Sequence, residues 1–344
     1  RSPSGARHVL EGATRVPPWT LRVHRGGSQR EDNKGCLQAA DVRPVRRPGS
    51  VPLAWTGEGG RPDGPSEAMA LFAGMIDRHV DSAIVASDAD LGGLTLNQHT
   101  PTRRNVEPLI IGAQEIGVAL TDQHVAAFEV CYDELVAWNE RFNLTAITDW
   151  KGVLIRHFLD SLSCLQAIPQ GELAAGARVI DVGTGAGYPG IPLKIVCPGM
   201  RLTLLEATHK KVVFLEHLIG RLGMDDVVAI HARAEELGMD VAHRESYDWS
   251  IARAVAKMPT LAEYLLPLAR VGGAILAQKG EDAAAQVQEA DEAIATLGGE
   301  VRQLVPVELR GLAETRYLVV IDKVAPSPEK YPRRPGMPKK RPLE

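Results

Sequence analysis

The sequence predicts an α/β protein: a doubly wound, mostly parallel sheet with an antiparallel edge strand and a helical cap on its amino-terminal side. Three observations carry this. From Arg178 onward, short apolar strand patterns alternate with helical ones. A glycine-rich turn, Gly183-Thr184-Gly185-Ala186-Gly187, follows the first of those strands directly. The stretch before it, from Thr121 to Ala167, has helical periodicity only.

In chain order, residues 1–68 hold ten Gly and eight Pro with no sustained apolar period, too little apolar surface to offset the entropy of ordering. Seven acidic residues there argue against a transit peptide. The chain begins at Arg1, Met69 is a candidate start, and residues 69–86 suit a short helix. Residues 1–105 are expected to be a disordered or non-native extension, with order beginning near 106. Thr121 suits the cap of a helix whose apolar stripe is Val125, Phe128, Cys131, Leu135, Trp138 and Phe142. A second helix is expected over Lys151–Ala167, ending before Pro169. These form the cap, residues 106–170.

The sheet domain is expected over 175–325. Val179–Val182 reads as a first strand and Arg201–Leu205 as a second, ending at Glu206. Thr208 caps a helix through Leu222, which Gly223 stops. Val227–His231 and Asp248–Arg253 are the next strands. A helix opens at Pro259 and runs to Arg270, strand Ala274–Gln278 follows, and a polar helix spans about Glu281–Leu297. Strands Val301–Val307 and Arg316–Lys323 lack a crossover helix between them, so they are expected to form an antiparallel edge hairpin. Residues 326–344 form a basic tail.

The 344 residues carry 39 Lys and Arg against 43 Asp and Glu, a net charge of -4, which excludes a wholesale nucleic-acid coating protein. The charge is uneven. Lys323–Glu344 hold seven basic and two acidic residues, so a cationic tail sits on an acidic body and suits a local anionic contact. Cys36, Cys131, Cys164 and Cys197 form no CxxC pair and no zinc spacing; they read as reduced, mostly buried thiols. No apolar run approaches the roughly 20 residues that cross a bilayer. No metal and no membrane partner are expected, and the location is expected to be cytoplasmic.

The glycine turn is the strongest chemical signal. Gly183, Gly185 and Gly187 let backbone pass close to a ligand at the carboxyl end of a first strand, where open α/β sheets bind. Glu206, ending the next strand, can take the two hydroxyls of a ribose. A dinucleotide fits, because Gly185-x-Gly187-x-x-Gly190 matches its fingerprint with an acid about 20 residues on. Two features favour S-adenosylmethionine. Asp181 places a carboxylate where a methionine amino group could be held, and Pro189 and Pro192 crowd the helix start where a pyrophosphate would need N–H donors. A glycine turn without a ligand is the third reading. After the third strand, Ala234-Glu235 suits the edge of an adenine, with an exposed first-turn helix acid as the alternative for Glu235. Arg253 ends the fourth strand facing the cleft, with a surface ion pair as its alternative.

These residues resemble the glucose-inhibited division protein B (GidB) family, the ribosomal RNA small-subunit methyltransferases G. The resemblance lies in Asp181–Leu193, Glu206–Lys211, Ala252–Ala256 and Gln278-Lys279-Gly280, in the cap strings Trp138–Thr145 and His157–Leu162, and in the tail strings Tyr331–Gly336 and Lys339–Leu343. It runs from about residue 106 to the end. It implies a Rossmann-like class I methyltransferase fold and S-adenosylmethionine-dependent methylation of N7 of a guanine in 16S ribosomal RNA, with the small ribosomal subunit as partner and a monomer as the working form. Carried over by motif, cofactor contacts fall on Gly183, Tyr188, Glu206, Ala207, Thr208, Ala234, Glu235 and Arg253, beside Asp181, Gly185 and Gly187 read from the turn itself, with Arg253 the candidate catalytic residue. The expected RNA grip is Arg156, Lys210, Lys211, Lys279, Arg333, Arg334, Lys339, Lys340 and Arg341. His157 suits stacking on a base or a place in the core. No Asn-Pro-Pro-Tyr-type loop for exocyclic amines follows the fourth strand, and no cysteine stands out as a nucleophile, which agrees with attack by a ring nitrogen.

Overall fold

A computed structural model describes residues 104–343. The readings made for residues 1–103, Met69 and Cys36 among them, lie outside the described residues. Two helices open the cap: α1 (Glu107–Glu115) and α2 (Asp122–Phe142). Thr121 caps α2 as expected: its Oγ1 accepts from the His124 amide at 3.2 Å, and His124 Nδ1 accepts from the Thr121 amide at 3.3 Å. The apolar stripe is buried at Val125, Phe128, Cys131 and Leu135.

The second expected cap helix is one rod with three geometries. Helix α3 (Trp150–Val153) passes into a π-helical turn (Leu154–Leu159), then α4 (Asp160–Leu162) and a 3-10 turn (Ser163–Gln166). A short α5 (Gln170–Ala174) leads into the sheet.

The sheet elements are β1 (Arg178–Val182), α6 (Gly190–Val196), β2 (Arg201–Glu206), α7 (His209–Leu222), β3 (Val227–His231), α8 (Ala234–Leu237), β4 (Tyr247–Arg253), α9 (Met258–Leu265), β5 (Ala269–Lys279), α10 (Ala283–Glu289), α11 (Asp291–Thr296), β6 (Gly299–Val307) and β7 (Arg316–Lys323). The strand order is β3-β2-β1-β4-β5-β7-β6. The first five strands are parallel, and β7 runs antiparallel between β5 and the edge strand β6, so the expected hairpin is present. This is the doubly wound, mostly parallel arrangement that the sequence predicts.

Three boundaries differ from expectation. Helix α9 stops at Leu265 rather than Arg270, because Pro267 has no amide to continue the ladder. Strand β5 therefore begins at Ala269, where it pairs with Tyr247 across a bulge. The expected helix 281–297 breaks at the fully buried Ala290, so that Val287 on one half and Ile294 on the other both reach the core.

Strand side chains alternate between two cores, as a pleat with a period of two requires. Val179, Leu204, Ile251, Leu276 and Val320 face the cap helices, α6 and α7. Ile180, Leu205, Ala252, Ile275 and Val319 face α9, α10 and α11. Cys131, Cys164 and Cys197 are free and buried. Among the described residues, no helix is long and apolar enough to cross a membrane.

The basic tail is strapped to the second face of the sheet. Arg244 donates to the carbonyls of Ser327 (2.8 Å) and Tyr331 (2.7 Å), and the Ser327 amide reaches Glu245 at 2.6 Å. Arg333 forks onto the fully buried Glu263 with contacts of 2.6–3.1 Å. Thr260 Oγ1 donates to the Pro338 carbonyl at 3.1 Å in a final helix, α12 (Met337–Lys340).

Candidate functional site

The carboxyl ends of β1, β2, β4 and β5 converge on one cleft. Strand β1 delivers Asp181 with 0% exposure. Its Oδ2 accepts from Thr184 Oγ1 at 2.7 Å and from the Gly190 amide at 2.8 Å. Its Oδ1 is buried and has no hydrogen-bond partner among the described residues. Burial pushes this carboxyl up to about 6, against the pull of the two hydrogen bonds and of Arg253.

The glycine turn hangs from β2: the Gly183 and Thr184 amides both donate to the Leu205 carbonyl, at 2.8 and 3.2 Å. Gly183, Gly185 and Gly187 have φ of +70°, +64° and +94°, where side chains are strained. A Cβ on Gly183 would lie 2.9 Å from Val255 Cγ2, so the turn is also closed over by the loop after β4. In that loop Ala254 has a φ of +54°, left-handed for a residue that is not glycine.

Glu206 is buried at the end of β2. One oxygen takes the Gly185 amide at 3.1 Å and the other the Thr208 amide at 2.8 Å. This corrects one detail: Thr208 precedes α7 but caps nothing with its side chain, because its amide is turned back to Glu206. Ala207 and Thr208 are exposed beside it. The start of α6 offers no free donor for a pyrophosphate. The Gly190 amide is taken by Asp181, the Ile191 amide by the Gly187 carbonyl at 2.8 Å, and Pro192 has none.

Tyr188 is buried and stacks on His157 with ring centroids 4.6 Å apart, and the Arg253 guanidinium lies over the Tyr188 ring, 5.2 Å from its centre. His157 is a core histidine rather than a free stacking platform. Its Nε2 meets Thr145 Oγ1 at 3.0 Å, and burial, with Arg253 nearby, pulls it down to about 4, so the ring is neutral. Arg253 is no surface residue. Its Nη1 donates to Asp160 Oδ2 at 2.8 Å and to the Arg156 carbonyl at 3.2 Å, with the side chain 15% exposed.

Ala234 and Glu235 are both buried. The alternative reading of Glu235 as an exposed first-turn acid does not hold: Glu235 Oε1 accepts from the Gly336 amide of the tail at 2.8 Å.

The expected RNA-gripping cations fall into two groups. Arg156, Lys210, Arg334, Lys339, Lys340 and Arg341 are exposed. Lys211 is half-buried, its Nζ 4.0 Å from the point a Gly185 Cβ would occupy. Two others are corrected. Lys279 is 8% exposed and donates to the Ala256 carbonyl, and burial lowers it to about 8. Arg333 is held by Glu263. Neither presents a free charge to solvent, because each cation has an internal acceptor that its flanking sequence does not reveal.

Sequence reasoning also passed over Gln278 and Arg316 as side chains. Both reach Asp160 Oδ1, Gln278 at 2.9 Å and Arg316 at 3.4 Å. No local pattern marks them; only the Gln278-Lys279-Gly280 string pointed near one. Two open clefts of about 290 and 380 Å³ lie near the opposite, amino ends of the strands and contain none of these residues. Among the described residues, no cluster of three His, Cys, Asp or Glu is placed to hold a metal.

A family model described as GidB, rRNA small subunit methyltransferase G, matches residues 124–313. The ribosomal RNA small subunit methyltransferase G of Pelotomaculum thermopropionicum is 50% identical over 232 residues, covering 67% of this chain and 96% of that protein. The protein of the same name from a Roseiflexus species is 49% identical over 238 residues, covering 69% of this chain and 100% of that one.

The turn geometry yields one test. Gly183→Asp would place a Cβ against Val255 at a φ that L-residues resist, and a second carboxylate beside Asp181. Calorimetric titration with S-adenosylhomocysteine should show no binding, while circular dichroism still reports a folded chain. Undiminished affinity would remove the turn from the site.

Proposed function

We propose a function from one premise: the chain belongs to the ribosomal RNA small subunit methyltransferase G family. It is a methyltransferase that uses S-adenosylmethionine and acts on ribosomal RNA. In our reading the acceptor is N7 of a guanine in 16S ribosomal RNA, presented on the small subunit in the cytoplasm, and one copy of the chain suffices.

The observation that carries the cofactor assignment is the asymmetric Asp181 carboxylate. One oxygen organises the turn and the other is buried without a partner. A buried anionic oxygen with no protein donor suits a cationic amino group, which S-adenosylmethionine has and a pyrophosphate lacks. The closed amides of α6 point the same way. Gly183, Gly185 and Gly187 would let the backbone approach the adenosyl portion, Glu206 with Ala207 and Thr208 would meet the ribose, and Ala234 and Glu235 would edge the adenine. Tyr188 and Arg253 would wall the amino-acid end.

Bound there, the cofactor supplies an electrophilic methyl group. Guanine N7 already carries a lone pair, as its role as a groove acceptor shows, so no residue needs to remove a proton. The protein's contribution is placement. Holding the two reacting groups in line can supply on the order of 7–11 kcal/mol of the barrier at best. Electrostatics must also not oppose the reaction, because the guanine becomes cationic. The residues on the cap side meet that need: His157 is neutral and Arg253 is paired with Asp160. The RNA is held by phosphate contacts on Arg156, Lys210 and Lys211 at the cleft and on Arg334, Lys339, Lys340 and Arg341 of the strapped tail.

Transfer of tritiated methyl groups to small-subunit particles, followed by mapping, tests the reading. Label should appear at a single guanine, and cleavage with borohydride and aniline should place it at N7; label on an exocyclic amine or a ribose would refute the acceptor assignment. Changing Lys339, Lys340 and Arg341 together to Ala should lower the slope of log affinity for RNA against log salt by about 2–3, the loss of three phosphate contacts. An unchanged slope would take the tail out of the RNA interface.

The Asp181 carboxyl makes cofactor affinity depend on pH. Its value near 6 lies above the usual carboxylate range, so it is ionised above pH 6 and neutral below. Affinity for S-adenosylhomocysteine should therefore fall as pH drops through 6, by about tenfold between pH 7 and 5, and Asp181→Asn should bind weakly with a flat profile. A flat profile for the unaltered protein would mean that Asp181 does not meet the amino group.

A further inference from the structure

Among the contacts between the cap and the strand ends is one guanidinium, that of Arg253, whose place depends on the π-helical turn. In an α-helix the Asp160 amide would bond to the carbonyl four residues back, that of Arg156. Here it bonds instead to the carbonyls of Ile155 and His157. The Arg156 carbonyl is thus not taken by the Asp160 amide; Arg253 Nη1 donates to it at 3.2 Å, and the ring Nδ1 of His157 lies at the same distance. The same Nη1 takes Asp160 Oδ2 at 2.8 Å.

Asp160 is itself fixed. It is 4% exposed, its other oxygen receives Gln278 Nε2 at 2.9 Å and Arg316 Nε at 3.4 Å, and its carbonyl receives Gln278 Nε2 at 2.8 Å. Three strand ends, of β4, β5 and β7, thus converge on one cap carboxylate. Both anchors of Arg253 use one nitrogen, so its Nε and Nη2 bond to nothing among the described residues, and the guanidinium lies over Tyr188. Arg253 is also close enough to Asp181 to favour its ionised form. The site therefore holds a buried carboxylate oxygen without a partner and, within electrostatic reach of it, a guanidinium with unpartnered donors. An α-amino acid, with its ammonium and carboxylate on one carbon, is complementary to that pair.

We infer that Asp160, with the Arg156 carbonyl that its amide does not take, is a positioning residue: it holds Arg253 by one nitrogen so that the remaining donors meet the carboxylate of the cofactor's amino-acid portion. The inference rests on the reading above that this cleft binds S-adenosylmethionine. Asp160 itself touches no ligand. Its contribution is to remove the rotamer freedom that a guanidinium at a strand end would otherwise lose on binding.

Two ligands separate this role from a purely structural one. S-adenosylhomocysteine carries the amino acid; 5′-methylthioadenosine has the same adenosyl thioether without it. Calorimetry on the full chain should show Asp160→Asn weakening S-adenosylhomocysteine by about tenfold while leaving 5′-methylthioadenosine within about twofold. Arg253→Ala should show the same selectivity, and the double variant should be no weaker than Arg253→Ala alone. If Asp160→Asn does not fold, Arg253→Lys serves: it keeps the charge, lacks the fork, and should show the same selective loss. Parallel loss of both ligands would make Asp160 a support of the fold only, and loss of neither would show that Arg253 needs no aiming; either result overturns the inference while leaving the cofactor reading intact. Unaltered protein that bound neither ligand would overturn the cofactor reading and this inference with it.

Discussion

One buried carboxylate sets the geometry on which the rest depends. Asp181 stands at the end of β1 with no solvent contact, so its charge must be answered from within. Two donors, Thr184 Oγ1 and the Gly190 amide, come to one oxygen, and to reach it the chain between them must turn tightly enough to need left-handed glycines. The turn in turn delivers the Gly185 amide to Glu206 and so ties the ends of β1 and β2 together. The other Asp181 oxygen is left bare. A fully satisfied carboxylate would have been a structural feature alone, whereas the half-satisfied one keeps an acceptor to which a ligand can donate.

Charge is arranged around this centre in two radii. Close in, cations are paired or shed their protons readily: Arg253 with Asp160, Lys279 on a carbonyl, and His157 neutral. At the rim, Lys211 beside the glycine turn is half-buried, and Arg156, Lys210 and the cations of the tail other than Arg333 are exposed. The separation suits an enzyme that must attract a polyanion and yet let a positive charge form at the reacting base. The strapped tail keeps the outer cations at a fixed place, because Glu263 and Arg244 hold its backbone and its one inward-facing arginine.

The sheet and the turn were legible in the sequence for a physical reason. Parallel strands buried on both faces are short continuous apolar runs, and left-handed backbone selects glycine; both leave local marks. Thr121 and its stripe were readable in the same way. What was hidden is pairing across distance. Arg333 and Glu263 are 70 positions apart, Glu235 and Gly336 are 101 apart, and nothing near any of them says that the other is its partner. A lysine destined for solvent and one destined for a buried carbonyl have the same letter, so Lys279 and Arg333 read as surface cations. The break at Ala290 and the π-turn were equally silent, since both are resolved by what the helix lies against rather than by its own residues.

The π-helical turn has a consequence for how this segment can vary in length. Such a turn holds one residue more than the α-helical path between the same ends. Removing a single residue from Leu154–Leu159 would let the rod relax into regular α-helix with the downstream side chains near their present angle. Straightening it with every residue kept would be a different change. That would pair the Arg156 carbonyl with the Asp160 amide and swing the downstream side chains by about 100°, one residue's worth of helical rotation. Asp160 would then point away from the strand ends it now gathers. The irregularity is thus the angular correction that brings the carboxylate round to the sheet, and a tidier helix with the same residues would be a disconnected one.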